Sequence, residues 1–142
     1  MDNGKAIAPC GIDCFNCEVY ENNINETTRT IMASRLNIEP EKVACKGCRE
    51  QNGCRLHWGK CDTLDCVKKH EIQYCFECND FPCEMLCPSR ESAERYPHNL
   101  KLYNLCRMKL LGIEKWSNEA ATNRQRYFKG KFVVGRGAVL DA

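Results

Sequence analysis

Three C-x-x-C pairs, Cys14/Cys17, Cys45/Cys48 and Cys75/Cys78, stand among thirteen cysteines in a chain of 142 residues. Each pair puts two thiols on one tight turn, where both can reach the same tetrahedral metal ion. The rest of the chain makes that constraint matter. Leu, Ile, Val and Phe together number 28, about a fifth of the residues and near the floor below which a polypeptide cannot bury enough surface to fold. A structural zinc site adds roughly 10 kcal/mol or more of apparent binding energy to folding, comparable with the whole stability of an ordinary domain. Metal ions are the natural substitute for the missing core.

A disulfide framework would use the same residues, but the compartment argues against it. Met1 to Pro9 carries charges on both sides of Gly4 and lacks the apolar stretch of a secretory signal. No run of residues is apolar for long enough to span a bilayer. With an odd thiol count besides, the expectation is a cytoplasmic protein with no membrane association, where thiols meet metals rather than one another.

Cysteines all but cease after Cys87, and helical patterning takes over. The sequence therefore divides into a cysteine-rich metal-binding region, residues 1–90, and a helical segment with a basic tail, residues 91–142, expected to pack as one domain. Net charge is +2 but unevenly spread: residues 1–99 carry 12 basic and 16 acidic side chains, residues 100–142 carry 9 and 3. A basic tail of this kind admits contact with nucleic acid, although solvated helix faces account for it equally well. An unidentified protein partner is the simpler expectation.

The stretch from Cys14 to Leu36 has few breakers and predicts one or two helices, with Val19, Ile24, Ile31, Met32 and Leu36 inward and Pro40 as the stop. Asp62 to His70 predicts a short helix capped by Asp62 or Thr63, with Lys68, Lys69 and His70 at the favourable end of its dipole. Pro97 suits the first turn of another helix. Leu102, Leu105, Cys106 and Leu110 form its apolar stripe, with Cys106 in the core, and Gly112 is its stop. A further helix follows over Ile113–Tyr127 with Trp116 and Ala120 inward. Phe132, Val133, Val134 and Val139, broken by Gly135 and Gly137, predict a strand pair or an extended tail. The fold class is a small, metal-stabilised, mainly α protein: zinc knuckles and short helices, then C-terminal helices and a short extended tail. No internal repeat stands out.

Ligand arithmetic gives two four-cysteine sets. Cys45-Lys46-Gly47-Cys48 is a knuckle whose second pair is Cys61 and Cys66, with Cys54 or His57 as substitutes inside the intervening loop. Cys14, Cys17, Cys75 and Cys78 make the other set, with Cys10 and Cys83 as alternates. About two zinc ions result. Thiols left beside the zinc would also serve as a redox switch that releases the ion on oxidation.

An iron–sulfur cluster is the competing cofactor. Cys75, Cys78, Cys83 and Cys87 followed by Pro88 are similar to the ferredoxin run C-x2-C-x2-C-x3-C-P, except that four residues separate the second and third cysteines. Cys10, Cys14 and Cys17 also match the C-x3-C-x2-C spacing of radical S-adenosylmethionine enzymes. Those enzymes need a barrel of alternating strands and helices, for which this chain has almost no strand signal.

The ordered combination is more specific than any single motif. Cys10-Gly11-Ile12-Asp13-Cys14-Phe15-Asn16-Cys17, Cys45-Lys46-Gly47-Cys48, Cys61, Cys66, Cys75-Phe76-Glu77-Cys78 and Phe81-Pro82-Cys83 together resemble the domain of unknown function 3795 family. Tyr96-Pro97 and Gly112-Ile113-Glu114-Lys115-Trp116 extend the likeness. The resemblance implies a small cysteine-rich protein, presumed to bind zinc through Cys10, Cys14, Cys17, Cys45, Cys48, Cys61, Cys66, Cys75, Cys78 and Cys83, with no assigned activity. Cys54, Cys87 and Cys106 are extras to that set, and Glu18 stands where the family pattern has proline.

The sequence points away from an enzyme. His57, His70 and His98 are the only histidines, and none adjoins a lone cysteine in a catalytic signature. No phosphate loop or dinucleotide fingerprint is present. All-cysteine zinc sites are closed, whereas catalytic zinc keeps a position open. The expected role is a structural-zinc interaction or regulatory module.

Overall fold

The computed structural model describes residues 3–56 and 60–139. Among the described residues the protein is mainly helical, with five α-helices: α1 (Glu26–Leu36), α2 (Cys48–Gln51), α3 (Asp62–Lys69), α4 (Leu100–Leu111) and α5 (Ile113–Lys129). One antiparallel strand pair, β1 (Lys131–Val133) and β2 (Gly137–Val139), follows, with Phe132 opposite Ala138. The chain forms two compact units: Met1–Pro9 with Asp13–Gln73, and Cys10–Ile12 with Tyr74–Ala142. The composition change after Cys87 falls inside the second unit.

In the first unit, Ile7, Val19, Val43, Leu64 and Val67 supply the buried large aliphatic side chains among the described residues. Segment 19–21 is laced to Cys45 by a parallel bridge, through Cys45 N–H to Val19 O at 2.8 Å and Glu21 N–H to Cys45 O at 2.9 Å. Arg49 acts as a strap. Its Nε donates to Ile7 O at 2.9 Å and its Nη2 to Gln73 O at 2.7 Å, charge-assisted bonds that satisfy two backbone carbonyls far apart in sequence.

The helix expected between Cys14 and Leu36 is shorter than its pattern. α1 starts only at Glu26, where the Asn25 side chain accepts from Thr28 N–H at 2.8 Å, the N-cap bond that Asn favours. It ends at Asn37, in the left-handed region at φ 53°, and not at Pro40. Ile31 is 46% exposed and Ala33 is the buried residue, because a helix burying so little selects no strict inward face. α3 is capped at Cys61, with no side-chain cap bond, so neither Asp62 nor Thr63 has that role; Leu64 and Val67 face inward.

The second unit is built on α4 and α5, joined at Gly112, whose φ of 82° favours glycine. Trp116 and Ala120 are buried as their spacing implies. α4 is rotated from the expected stripe. Leu100, Asn104, Leu105 and Met108 are buried, Leu110 is 73% exposed and Cys106 is exposed. Asn104 explains the shift. Its Nδ2 donates to Gly11 O at 2.8 Å and its Oδ1 accepts from Trp116 Nε1 at 3.2 Å, so a polar residue earns a core position by joining two buried groups. Gly11 lies so close to α4 that a Cβ there would meet Lys101 O at 2.7 Å and Leu105 Cγ at 2.9 Å.

One ion pair bridges the two helices. Arg107 Nε and Nη2 donate to Glu119 Oε1 and Oε2 at 2.7 and 2.8 Å, and Asn123 Nδ2 adds a bond to Oε1 at 3.2 Å. The Arg107 guanidinium, more than any other neighbour, holds the Glu119 carboxyl below the ordinary carboxylate range. A carboxyl lowered by folding stabilises the fold above its unfolded pKa, and loses that contribution as pH falls through its folded value. Glu119→Gln should therefore lower the melting temperature at pH 7, with the difference from wild type shrinking below about pH 4. A difference that stays constant from pH 7 to pH 3 would dismiss the pair as its source.

Candidate metal centre

All thirteen cysteines are thiols in this structure. The first unit holds Cys14, Cys17, Cys45, Cys48, Cys54, Cys61 and Cys66; the second holds Cys10, Cys75, Cys78, Cys83, Cys87 and Cys106. Among the described residues, no group of three or more His, Cys, Asp or Glu side chains is arranged to hold a metal ion. What the fold builds is a set of pair-presenting turns.

Two of these turns are near copies. Cys14–Asn16 and Cys75–Glu77 are each a single 3₁₀ turn, closed by Cys17 N–H to Cys14 O at 2.9 Å and Cys78 N–H to Cys75 O at 3.2 Å. Both read Cys-Phe-x-Cys, and both leave the turn extended, with ψ of 134° at Cys17 and 142° at Cys78. Each is clipped across its third residue: Asn16 Nδ2 donates to Asp13 Oδ2 at 3.0 Å, and Tyr74 N–H donates to Glu77 Oε2 at 3.1 Å. Asp13 is fully buried and Tyr74 stacks on Phe76, with ring centroids 5.5 Å apart. This local repetition, Cys-Phe-Asn-Cys and Cys-Phe-Glu-Cys, is readable in the sequence once the two turns are aligned.

The third turn differs. Gly47, at φ 88°, lets the chain reverse directly into α2, so that Cys48 opens the helix. Gly47 N–H then points at Cys45 Sγ at 3.4 Å, and Gln51 Nε2 donates to the same sulfur at 3.3 Å. Cys45 is buried, yet its thiol is pulled down to about 6. The first cause is the Cys54 thiol, which donates to the Cys45 sulfur; backbone N–H groups of Arg55 and Gly47 add to it, against burial. Cys54 is pushed up in turn, first by that hydrogen bond and further by the charges of Cys45 and Cys14. Burial raises the Tyr20 phenol, and Glu21, Cys14, Cys45 and Glu50 add to the rise. Cys14, Cys45 and Cys54 thus lie within one another's electrostatic reach, with the Arg55 guanidinium near Cys45.

The remaining candidates are dispersed along their elements. Cys61 caps α3 and Cys66 lies inside it, both half-buried. Cys83 precedes the 3₁₀ turn Glu84–Leu86 and Cys87 follows it, both exposed; Cys10 is half-buried beside Gly11. His70 is exposed at the end of α3, and His98 lies in the 3₁₀ turn Pro97–Asn99, its Nε2 3.4 Å from Ser89 O. His57 lies outside the described residues. Cys54 is the residue that ligand arithmetic left at the margin. Its signal was the odd cysteine nine residues after Cys45, at the close of the α2 turn.

A mainly helical, cysteine-rich protein that presents thiol pairs on tight turns is the class these features define. A family described as "Protein of unknown function (DUF3795)" matches residues 6–88, and the chain belongs to that family. No curated protein and no solved structure matches the chain. No helix among the described residues is long and apolar enough to cross a membrane.

Proposed function

We propose that this protein binds about two zinc ions through its cysteine pairs and serves as a structural-zinc interaction or regulatory module in the cytoplasm. The observation that carries this reading is the Cys45 sulfur, which receives N–H donors from Gly47 and Gln51 on a C-x-x-C knuckle. Donors aimed at a sulfur favour its anionic form, and the thiolate is what binds metal. The donor chemistry fits zinc, whose structural sites take thiolate sulfur at about 2.3 Å in a tetrahedral shell.

Ligands would come from Cys14, Cys17, Cys45, Cys48, Cys61 and Cys66 in the first unit and from Cys10, Cys75, Cys78 and Cys83 in the second. Zinc bound there would supply cross-links between short turns and no redox chemistry. Asn16, Gln51 and Glu77 orient the turns by the bonds described above, as outer partners commonly do for metal ligands.

Protein purified without oxygen should be colourless and contain about two zinc ions per chain with negligible iron and sulfide. Stoichiometric iron and sulfide with absorption near roughly 400 nm would replace the zinc reading with an iron–sulfur one.

A further inference from the structure

We propose that a cleft beside the turn carrying Cys14 and Cys17 receives an arginine side chain of a partner protein. The inference rests on the interaction-module reading above, for which it names the partner's chemistry, and not on the zinc. The cleft, about 540 Å³, is lined by Phe15, Asn16, Glu18, Asn23, Asn25 and Thr28, a size usual for a ligand site. What it offers follows from the bonds its residues already make. Asn16 Nδ2 donates to Asp13 Oδ2 at 3.0 Å, and Asn23 Nδ2 donates to Phe15 O at 2.7 Å and to Cys17 O at 2.9 Å.

Carboxylate and backbone oxygens accept, so neither amide is free to turn over, and each asparagine is left with its carbonyl oxygen to offer. Glu18, exposed, adds a carboxylate, and Phe15 adds an aromatic ring. Asn25 is the exception. Its Oδ1 accepts from Thr28 N–H at 2.8 Å, which leaves an NH2 group suited to a main-chain carbonyl of the occupant. Acceptors otherwise prevail, and the matching ligand is a donor.

Charge points the same way. From residue 6 to residue 28 the sequence carries Asp13, Glu18, Glu21 and Glu26 and no lysine or arginine. Arg29, the next basic residue, is engaged: its Nε pairs with Glu26 Oε1 at 3.3 Å and its Nη1 donates to Pro40 O at 3.2 Å. The positive end of α1 is muted by the Asn25 cap and by Glu26 in its first turn. An anion would meet repulsion here. A guanidinium supplies five donors in one plane and stacks on an aromatic face, whereas lysine brings three donors at a point. Free arginine carries a carboxylate of its own towards this acidic surface, and an arginine within a chain does not, so the occupant is a partner's side chain.

Nuclear magnetic resonance titration of the protein as purified tests the assignment, with the side-chain NH2 signals of Asn16, Asn23 and Asn25 as reporters. The probe is a tripeptide of arginine between two alanines, blocked at both ends and taken to roughly 10 mM. It should give saturable shifts centred on residues 15–28. The same peptide with citrulline, which keeps the shape and loses the charge, should give none. Lysine in place of arginine should bind less tightly, and free arginine at least about 3-fold less tightly. Glu18→Gln, an exposed and conservative change, should weaken the arginine peptide at least about 3-fold.

Absence of saturable shifts with the arginine peptide, equal shifts with the citrulline peptide, or unchanged affinity in Glu18→Gln would overturn the assignment. Free arginine binding as tightly as the peptide would overturn the partner and leave a small-molecule site. Zinc content measured on the same sample keeps the two readings apart. Failure to bind the peptide in protein that holds its zinc removes the partner's chemistry alone, and peptide binding by a chain that takes up no zinc removes the zinc alone.

Discussion

Chelation of the reduced protein should abolish cooperative unfolding of the first unit and remove much of its helical signal, while α4 and α5 remain helical. The expected effect is large because the first unit has so little else to hold it. Among its described residues the buried large aliphatic side chains are Ile7, Val19, Val43, Leu64 and Val67, and α1 contributes only Ala33 to the core. Five such residues offset a small part of the entropy of ordering a segment of this length. A structural zinc contributes roughly 10 kcal/mol or more, against a typical net stability of about 5–15 kcal/mol. Circular dichroism melting with and without chelator, at constant reductant, is the measurement. Superimposable curves would refute the claim that metal replaces core.

The second large effect belongs to Asn104. Replacing it by Leu keeps the branched shape, with bulkier methyl groups, and removes both hydrogen bonds, those to Gly11 O and from Trp116 Nε1. A buried hydrogen bond contributes about 0.5–1.5 kcal/mol, so the loss of these two should cost Asn104→Leu roughly 1–3 kcal/mol. Trp116→Phe removes one donor and should cost less. Gly11→Ala attacks the same junction sterically, since its Cβ would fall 2.7 Å from Lys101 O at a φ of 90°. Chemical denaturation midpoints rank the three. A stability for Asn104→Leu within about 0.5 kcal/mol of wild type would show the network to be dispensable. Because Cys10 precedes Gly11, the same variants should also raise the reactivity of Cys10 towards alkylation.

Family membership was legible from the order of the cysteine motifs, and the C-terminal elements from ordinary pattern. Gly112, Trp116, Ala120 and the strand pair fall where spacing and glycine chemistry put them. α4 shows why the pattern misled elsewhere. Leucines at 100, 102, 105, 110 and 111 surround the helix, so apolar period alone does not select a face, and the inward residue that decides it is a polar one. Gln51 was invisible for a related reason. Its importance lies in three bonds to Lys46, Cys45 and Gly53, and no residue-type rule marks a glutamine for such a place. α1 failed in the other direction: Ile31 looked apolar enough to bury, in a helix that buries almost nothing.

The bond from Asn104 to Gly11 spans 93 residues. During synthesis at about 5–20 residues per second, Gly11 emerges roughly 5–20 s before the asparagine that receives it. The three-residue segment Cys10–Ile12 belongs to a unit whose other members are made last, while its immediate neighbours Pro9 and Asp13 belong to the unit made first. The protein is therefore no tandem of cassettes. A cut at residue 74 gives neither half its full complement, and a lineage that exchanged or lost the C-terminal half would have to mend the N-terminal one at the same time.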